Sequence, residues 1–510
     1  MNFDIQYLIS IVLYMAAVIA IGAYCAKRAN KNAEAYFLGG RTLGPWVSAM
    51  SAEASDMSGW LLMGLPGLAY WSGLASAGWT AIGLALGTYL NWLITSKRLR
   101  RYSERIGAIT IPDFFSKRFH EKSNVLLIIA SVLIIVFFTP YAGSCLMACG
   151  KLFAQLFNAD YTTMVIIAAV FVLAYTFLGG FLGESASDFM QAIVMVIALI
   201  CVLTIGVVQA GGLGAVLENS KDIPGFISLF ESANPTEVVD GAVVYGDPQP
   251  VGFVTILSGL VWGLGYFGMP QVLLRFMAIR SEKELTLSRR VATVWVLISL
   301  SAAIFIGVIG RMLYPTQYVA QGEAENIFIL LTTNMLPALL AGLICAGILA
   351  ASISSSDSYL LISASAIAEN VYHGVFKKNA TDKQVMLVTR IILVLIMIFA
   401  MVVATSGNDV IFTIVDFAWA GLGATFGPLM IFSLFWKRTN YQGAVAGMIT
   451  GGVVAIVWNF FISKLGGIFA VYELAPAFLL SSIAIVVVSL LTAEPSKEIQ
   501  DDFDYVVSGK

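Results

Sequence analysis

The sequence predicts an all-α polytopic membrane protein of about thirteen transmembrane helices, and three observations carry that expectation. The first is composition. Of 510 residues, 59% are hydrophobic and only 12% charged, and mean hydropathy is +0.86. Soluble domains carry about 25% charged residues, so this chain lacks the polar surface that water demands. The second is periodicity: apolar runs of about 20 residues, enough to cross a bilayer core of about 30 Å, recur from end to end. The third is the collection of basic residues in alternate connections.

The runs lie at roughly 5–25, 43–72, 76–96, 124–152, 160–178, 188–210, 251–279, 291–313, 336–362, 385–405, 410–436, 441–463 and 470–492. The first has no basic start and no clear small-residue cleavage site, so it reads as a span rather than a signal peptide. Its basic flank, "KRANK", shares one side of the membrane with "SKRLRRYSER", "SKRFHEK", "RSEKELTLSRR", "KKNATDK" and "WKRTN". Only Lys151, Lys221, Arg311 and Lys464 of the 29 basic residues fall on the other side. The positive-inside rule then places the N-terminus outside and the 493–510 tail in the cytoplasm, which requires an odd number of spans. The setting is the plasma (inner) membrane. The longest outer connection, about 211–250, is polar and turn-rich, and no separate soluble domain is expected.

Several function classes recede. A net charge of −2 without a long basic tract argues against nucleic acid. Cys25, Cys145, Cys149, Cys201 and Cys345 are odd in number, lie in apolar runs and form no C-x-x-C, so they read as core residues rather than zinc ligands or disulfides. His120 and His373 lie in polar connections and leave little for hydrolytic or metal chemistry. An enzyme is therefore not expected, and the tail after 493 has no room for a kinase or effector domain.

Polar residues inside spans point elsewhere. Span two contains "AEASDMSGWLLMGLPG" (52–67), where Glu53 and Asp56 sit beside Gly59, Gly64, Pro66 and Gly67. A carboxylate at membrane depth costs about 2.5–3.5 kcal/mol on insertion scales, and broken backbone survives there only when buried in protein or lining a cavity. Span seven carries a matching device, "WGLGYFGMP" (262–270). Either break alone is compatible with a packing kink. Two in corresponding positions, each beside polar residues, are the signature of an inverted-repeat secondary transporter. Span nine adds "AASISSSDSYLLISAS" (350–365). Ser352 and Ser356 fit ordinary bonding back to the helix, whereas Ser354, Asp357 and Ser358 share one face at i, i+3, i+4. Hydroxyls there and loosened carbonyls of span two suit a hard cation such as Na⁺.

The stretches "SAEASDMSGWLLMGLPG", "AITIPDFFSKRF", "WGLGYFGMPQVLLRFMA", "ILAASISSSDSYLL" and "FAWAGLGATFGPLMIFSLFWKR" closely resemble the sodium/proline symporters of the solute:sodium symporter superfamily. The likeness runs over essentially the whole chain. It implies a LeuT-like five-plus-five inverted repeat (43–210 and 251–436), one span before it (5–25) and two after it (441–492). It implies a sodium site at the carbonyls of Ala54, Met57 and Ala351 and the hydroxyls of Ser354 and Ser355, with Asp56 needed for coupling. The residues implied for proline are Tyr141, Trp262, Tyr266 and Pro270, with Ser58, Gly59 and Trp60 close by. Arg41 matches an inner-gate arginine. Met269 stands where the family usually has glutamine, which opens a shift toward a related solute such as a betaine, another amino acid or a monocarboxylate, coupled to sodium or protons.

Four acids depart from the family pattern: Glu53, Glu184, Asp357 and Asp416. Asp188, by contrast, matches a family aspartate. Glu53 and Asp357 each lie about one turn inward of the implied sodium site, and Glu184 and Asp188 flank the start of span six. The expectation is an additional cation or proton site made of Glu53, Asp188, Ser354, Asp357 and Ser358. Its competitor is a solvated Glu184 and a Glu53 paired with a nearby base. Asp416 belongs to the outer half of span eleven.

Overall fold

The computed structural model describes residues 5–29, 33–239, 242–407 and 410–509, so Lys31 of the "KRANK" flank lies outside the described residues. Helix α1 (Ile5–Ala29) exposes Ile5, Ile9 and Leu13, a face that lipid accepts and water does not. After α2 (Ala33–Leu38), α3 (Pro45–Asp56) opens with a proline in its first turn, where the missing N–H costs nothing. It stops at Met57–Gly59, and a widened turn at 60–64 leads into α4 (Leu65–Ser72). The return is α5 (Leu74–Ile94), followed by basic α6 (Ser96–Arg105), α7 (Ile111–Arg118) and the long α8 (Val125–Phe157). The next helix, α9 (Tyr161–Gln209), is kinked at Gly180, whose φ of 51° and ψ of −172° suit glycine.

The 211–250 connection is not irregular throughout. It holds α10 (Leu213–Asn219) and an antiparallel hairpin, β1 (Glu231–Val239) with β2 (Ala242–Pro250). Val238 pairs with Val243, and such β-branched pairs favour strand over coil. The hairpin is seated by Tyr245, whose hydroxyl donates to the Trp71 carbonyl at 3.1 Å.

Span seven is α11 (Phe253–Val261), a tight turn at 262–267 and α12 (Pro270–Ala278), with a bend of 41°. Then come α13 (Leu285–Leu313), short α14 (Gln321–Ala324) and α15 (Ile327–Met335), and α16 (Ala338–Ser365), which widens through Phe376. The remaining elements are α17 (Asp382–Ala404), α18 (Ile411–Phe435), α19 (Tyr441–Val457), α20 (Leu474–Leu491) and a terminal amphipathic α21 (Lys497–Ser508). Among the described residues, nine helices are long and apolar enough to cross a membrane, or ten with the bent pair. The segments expected at 43–72, 76–96 and 160–178 are also helical, but shorter or less apolar than those nine, so apolarity alone does not reproduce the count of thirteen.

The two broken spans are drawn together through α5. Its Gly83 and Gly87 abut Gly259 and Gly263, so side chains are absent on both sides of the crossing and the backbones touch. At one end of the bundle Arg101 donates to the Val506 carbonyl at 2.8 Å, Arg105 pairs with Asp502 at 3.0 Å and Lys437 with Asp504 at 2.6 Å. This is the basic end, where α21 docks on α6.

Candidate functional site

Where α3 stops, its last carbonyls lose their helical partners. Met57 N–H still bonds to the Glu53 carbonyl at 2.9 Å, but Ser58 turns to φ 26°, a conformation rare outside glycine. Gly59 is forced by packing: a Cβ there would lie 2.9 Å from Ser352 Oγ and against Ala148. Helix α16 crosses at this point. Ser354 Oγ lies 2.8 Å from the Ala54 carbonyl and 3.1 Å from that of Ala351. Ser355 Oγ accepts the Ser58 N–H at 3.0 Å and lies 3.3 Å from the Ala54 carbonyl. Four of the five oxygens implied for sodium thus meet in one fully buried place. The fifth, the Met57 carbonyl, accepts the Leu61 N–H at 3.1 Å. All are neutral oxygens, and each hydroxyl retains a lone pair, which fits a hard monovalent cation.

Beyond the break, Trp60 stacks on Trp262 with centroids 5.8 Å apart. Trp262 in turn meets Phe412 at 5.4 Å, Tyr472 at 5.3 Å and Trp419 at 6.0 Å, and Tyr266 meets Trp419 edge-on at 5.0 Å. The turn at 262–267 is held by its carbonyls: Asn91 donates to Tyr266 O at 2.9 Å and Trp419 Nε1 to Trp262 O at 2.8 Å. Tyr141 donates to the Asp56 carbonyl at 3.2 Å and packs on Tyr359. Pro270 opens α12, and the next residue, Gln271, donates to Asp56 Oδ1 at 3.2 Å, joining the two broken helices directly. Trp60 Nε1 and Gln271 Oε1 are buried polar atoms without a hydrogen-bond partner. A cleft of about 330 Å³, lined in part by Trp262, Phe412, Tyr472, Asp416 and Glu473, adjoins this aromatic group.

Sequence reasoning missed Gln271, Trp419, Phe412 and Tyr472. Gln271 had a signal, a polar side chain beside a helix-opening proline. The aromatics had none, being set more than a hundred residues downstream of the turn that they line.

The five residues expected to form an additional cation or proton site are not brought together. Ser354 belongs to the Ala54 contact, and Glu53 accepts from Trp92 Nε1 at 3.3 Å rather than pairing with a base. Asp188 and Ser358 do converge, but on Arg275 of α12. Its Nη2 donates to Asp188 Oδ2 and to Ser358 Oγ, each at 3.0 Å, and also to Glu184. Glu184 is therefore buried and paired, not solvated at a membrane face. Asp357 is 1% exposed, has no side-chain hydrogen-bond partner and shares with Glu184 a cavity of about 10 Å³.

Arg41 lies at the basic end, with φ 54°. It donates to the carbonyls of Met277 at 2.8 Å and Ala108 at 2.6 Å, and to Ser103 Oγ at 3.0 Å. The end of α12 is thereby tied to α6 beneath the break.

Comparison with known proteins decides what this architecture is. Residues 36–451 match the sodium:solute symporter family. The chain belongs to that family. Sodium/proline symporters of Staphylococcus aureus strains USA300 / TCH1516 and JH9 are each 39% identical over 508 residues, 98% of this chain and 96% of the relative. Among solved structures, a Na⁺-coupled sialic acid symporter in a substrate-bound outward-open state superposes with a TM-score of 0.80 at 20% identity, over 97% of this chain and 100% of that one. A nucleobase-cation-symport-1 family transporter in a closed conformation gives 0.54 at 14% identity, over 92% and 98%. The fold is accordingly LeuT-like and the protein a multi-pass membrane transporter, not an enzyme.

Proposed function

We propose that the chain carries L-proline across the plasma membrane together with Na⁺, the ion moving downhill and the solute uphill. The observation that carries this reading is the meeting of the α3 break with α16. Ser355 Oγ touches both the Ser58 N–H and the Ala54 carbonyl, so an ion held among these oxygens ties α16 to the break. Ser58, Gly59 and Trp60 follow immediately in the chain, and the state of the ion site is passed to residues facing the solute. Asp56, held by Gln271, passes it on to α12.

For the solute, the faces of Trp60, Trp262 and Trp419 cover a pyrrolidine ring. The first turn of α12 offers its dipole to a carboxylate, and the unpartnered Trp60 Nε1 is a polar handle beside it. The names of the S. aureus relatives support proline as the solute. We assign 43–210 and 251–436 to the two repeats of a thirteen-span chain, the basic end to the cytoplasm and Arg41 to the inner gate. A second reading, another small solute, rests on Met269, whose thioether is fully buried where a polar contact is usual in the resemblance.

Counterflow of labelled proline in proteoliposomes, with and without a sodium gradient and against competing betaine, amino acids and monocarboxylates, tests both. Sodium-dependent proline exchange is expected. Exchange of a competitor in preference to proline selects the second reading, and the absence of any sodium dependence overturns the ion site.

A further inference from the structure

The cleft of about 330 Å³ beside the aromatic group is walled by α4, α5, α11, α18 and the 463–473 connection that leads into α20. It carries two carboxylates, Asp416 and Glu473, and no lysine, arginine or histidine. Tyr472 holds the two acids together. It precedes Glu473 in the chain, and its hydroxyl donates to the backbone carbonyl of Asp416 at 2.7 Å rather than to the carboxylate. Glu473 is 4% exposed, and of about four lone-pair sites on its carboxylate Asn459 Nδ2 takes one, on Oε1 at 2.8 Å. In α5, Thr80 lines the same cleft and is also 4% exposed. Its hydroxyl makes no hydrogen bond among the described residues, not even to the carbonyl one turn back that a helical threonine ordinarily takes. Trp262, Phe412 and Tyr472 supply an aromatic wall, with Tyr472 stacked on Trp262. Charge, rings and size together select one class of ligand. Two carboxylates in one cleft repel each other unless a cation stands between them. A metal ion fits poorly: the described residues hold no group of three or more acidic, histidine or cysteine side chains able to ligate one, and a single ion fills little of the cleft. An ammonium group on a small apolar frame answers both features, since it pairs with carboxylates and lies well on aromatic faces. The volume is at the small end of ligand pockets, about 300–1,000 Å³, which suits a molecule of proline's size.

We propose that this cleft is a second binding site, for small ammonium compounds, in which Asp416 and Glu473 hold the amine of the arriving solute and Thr80 its carboxylate before the solute passes Trp262. The inference rests on the proline reading above and deepens it: the amine is recognised at the entry, separately from the aromatic group within. Trp262 is the wall common to both places, lining the cleft and stacking on Trp60. The two acids belong to α18 and the start of α20, whereas the sodium oxygens belong to α3 and α16. The cleft therefore governs how readily solute arrives and leaves ion binding unchanged.

Tetramethylammonium, a cation of suitable size without the carboxylate of a zwitterion, is the probe, and tert-butanol is its neutral counterpart. Melting of the purified protein and initial proline uptake in proteoliposomes are the readouts, at constant ionic strength. In wild type, tetramethylammonium is expected to raise the melting temperature and the KM for proline without lowering kcat, and tert-butanol to do neither. Asp416→Asn combined with Glu473→Gln is expected to lose both responses and to raise the KM for proline about five- to tenfold, with kcat and ²²Na⁺ binding unchanged. Exchanging the acids, Asp416→Glu with Glu473→Asp, keeps both charges and is expected to retain the wild-type responses. A wild-type melting temperature indifferent to tetramethylammonium overturns the proposal, as does an equal shift in the neutral double variant or an unchanged KM there. Should the double variant fail to fold, Asp416→Asn alone decides, because the residue is only half-buried; an undiminished response in it overturns the proposal. An absence of sodium-dependent proline exchange in wild type instead overturns the proposed function. The melting response, which needs no transport, still decides the cleft, so the two failures are distinct.

Discussion

Removing the hydroxyls of Ser354 and Ser355 together is the most direct probe of the ion site, and the structure sets its magnitude. Each hydroxyl stands within 3.3 Å of the Ala54 carbonyl, so both face the same small volume. A hydrogen-bond-strength contact to a charged partner contributes about 1.5–3 kcal/mol. Losing two therefore weakens sodium binding by about 3–6 kcal/mol, or roughly 10²–10⁴-fold at about 1.4 kcal/mol per decade. The structural cost is local. Alanine preserves the helix, and the polar atoms that lose these partners are the Ser58 N–H and the Ala54 carbonyl, at about 1–3 kcal/mol each. The double alanine variant should thus remain in the membrane while its half-saturating sodium rises beyond the measurable range. Ser354→Ala alone should raise it about 10- to 100-fold. The assay is initial proline uptake in proteoliposomes against sodium concentration, normalised to immunodetected protein. Half-saturating sodium within about threefold of wild type in the double variant refutes the assignment of this site.

Tyr266→Ala should weaken proline binding at least about tenfold, the scale of one lost aromatic contact, while ²²Na⁺ binding persists; unchanged proline affinity returns Tyr266 to a packing role. Gly59→Ala should abolish uptake in a protein that still reaches the membrane, because its methyl group meets Ala148 and Ser352 at a point where neither can withdraw; normal uptake removes Gly59 from the site. Asp160 caps α9 by accepting the Thr163 N–H at 2.8 Å, and that bond holds its carboxyl below the usual carboxylate range. A lowered pKa stabilises the fold above the ordinary carboxylate value and ceases to do so as pH falls through the lowered one. Asp160→Ala should therefore depress melting temperature at neutral pH and converge with wild type in acid; equal depression at all pH values excludes a capping charge.

The break in α3 was legible because Gly59, Gly64, Pro66 and Gly67 advertise it and Ser354 lies on a face that hydropathy alone would leave apolar. The ligand set followed from the resemblance; four of its oxygens lie together at Ala54, and the Met57 carbonyl is in a local helical bond. The hairpin at 231–250 was not legible. Pro235, Pro248 and Pro250 read as turns, and only strand pairing makes its valines meet. Arg275 was obscured for a different reason. It lies near the end of the run 251–279, five residues before the basic flank that starts at Arg280, and only the folding of α9 and α16 around α12 shows that it faces three helices and no water. Residues far apart in sequence whose roles depend on a shared partner are invisible to local pattern, and the acid cluster is that case: its members were found, but the base that gathers them was not.

The two polar centres also differ in a way that transport requires. An ion that must leave on every cycle has to be bound strongly enough to enter and weakly enough to depart. Around Ala54, Ala351, Ser354 and Ser355 every oxygen is neutral, and the carboxylate of Asp56 accepts from Gln271 of the opposing broken helix. The formal charges of Glu184 and Asp188 are gathered elsewhere, on a cation that cannot diffuse away. Had the carboxylates faced the break, sodium would be held too firmly to release; had Arg275 been absent, two buried anions would demand a counter-ion in every state of the cycle. Placing neutral oxygens at the break and the carboxylates of Glu184 and Asp188 on Arg275 keeps the ion that must leave apart from the charges that must stay.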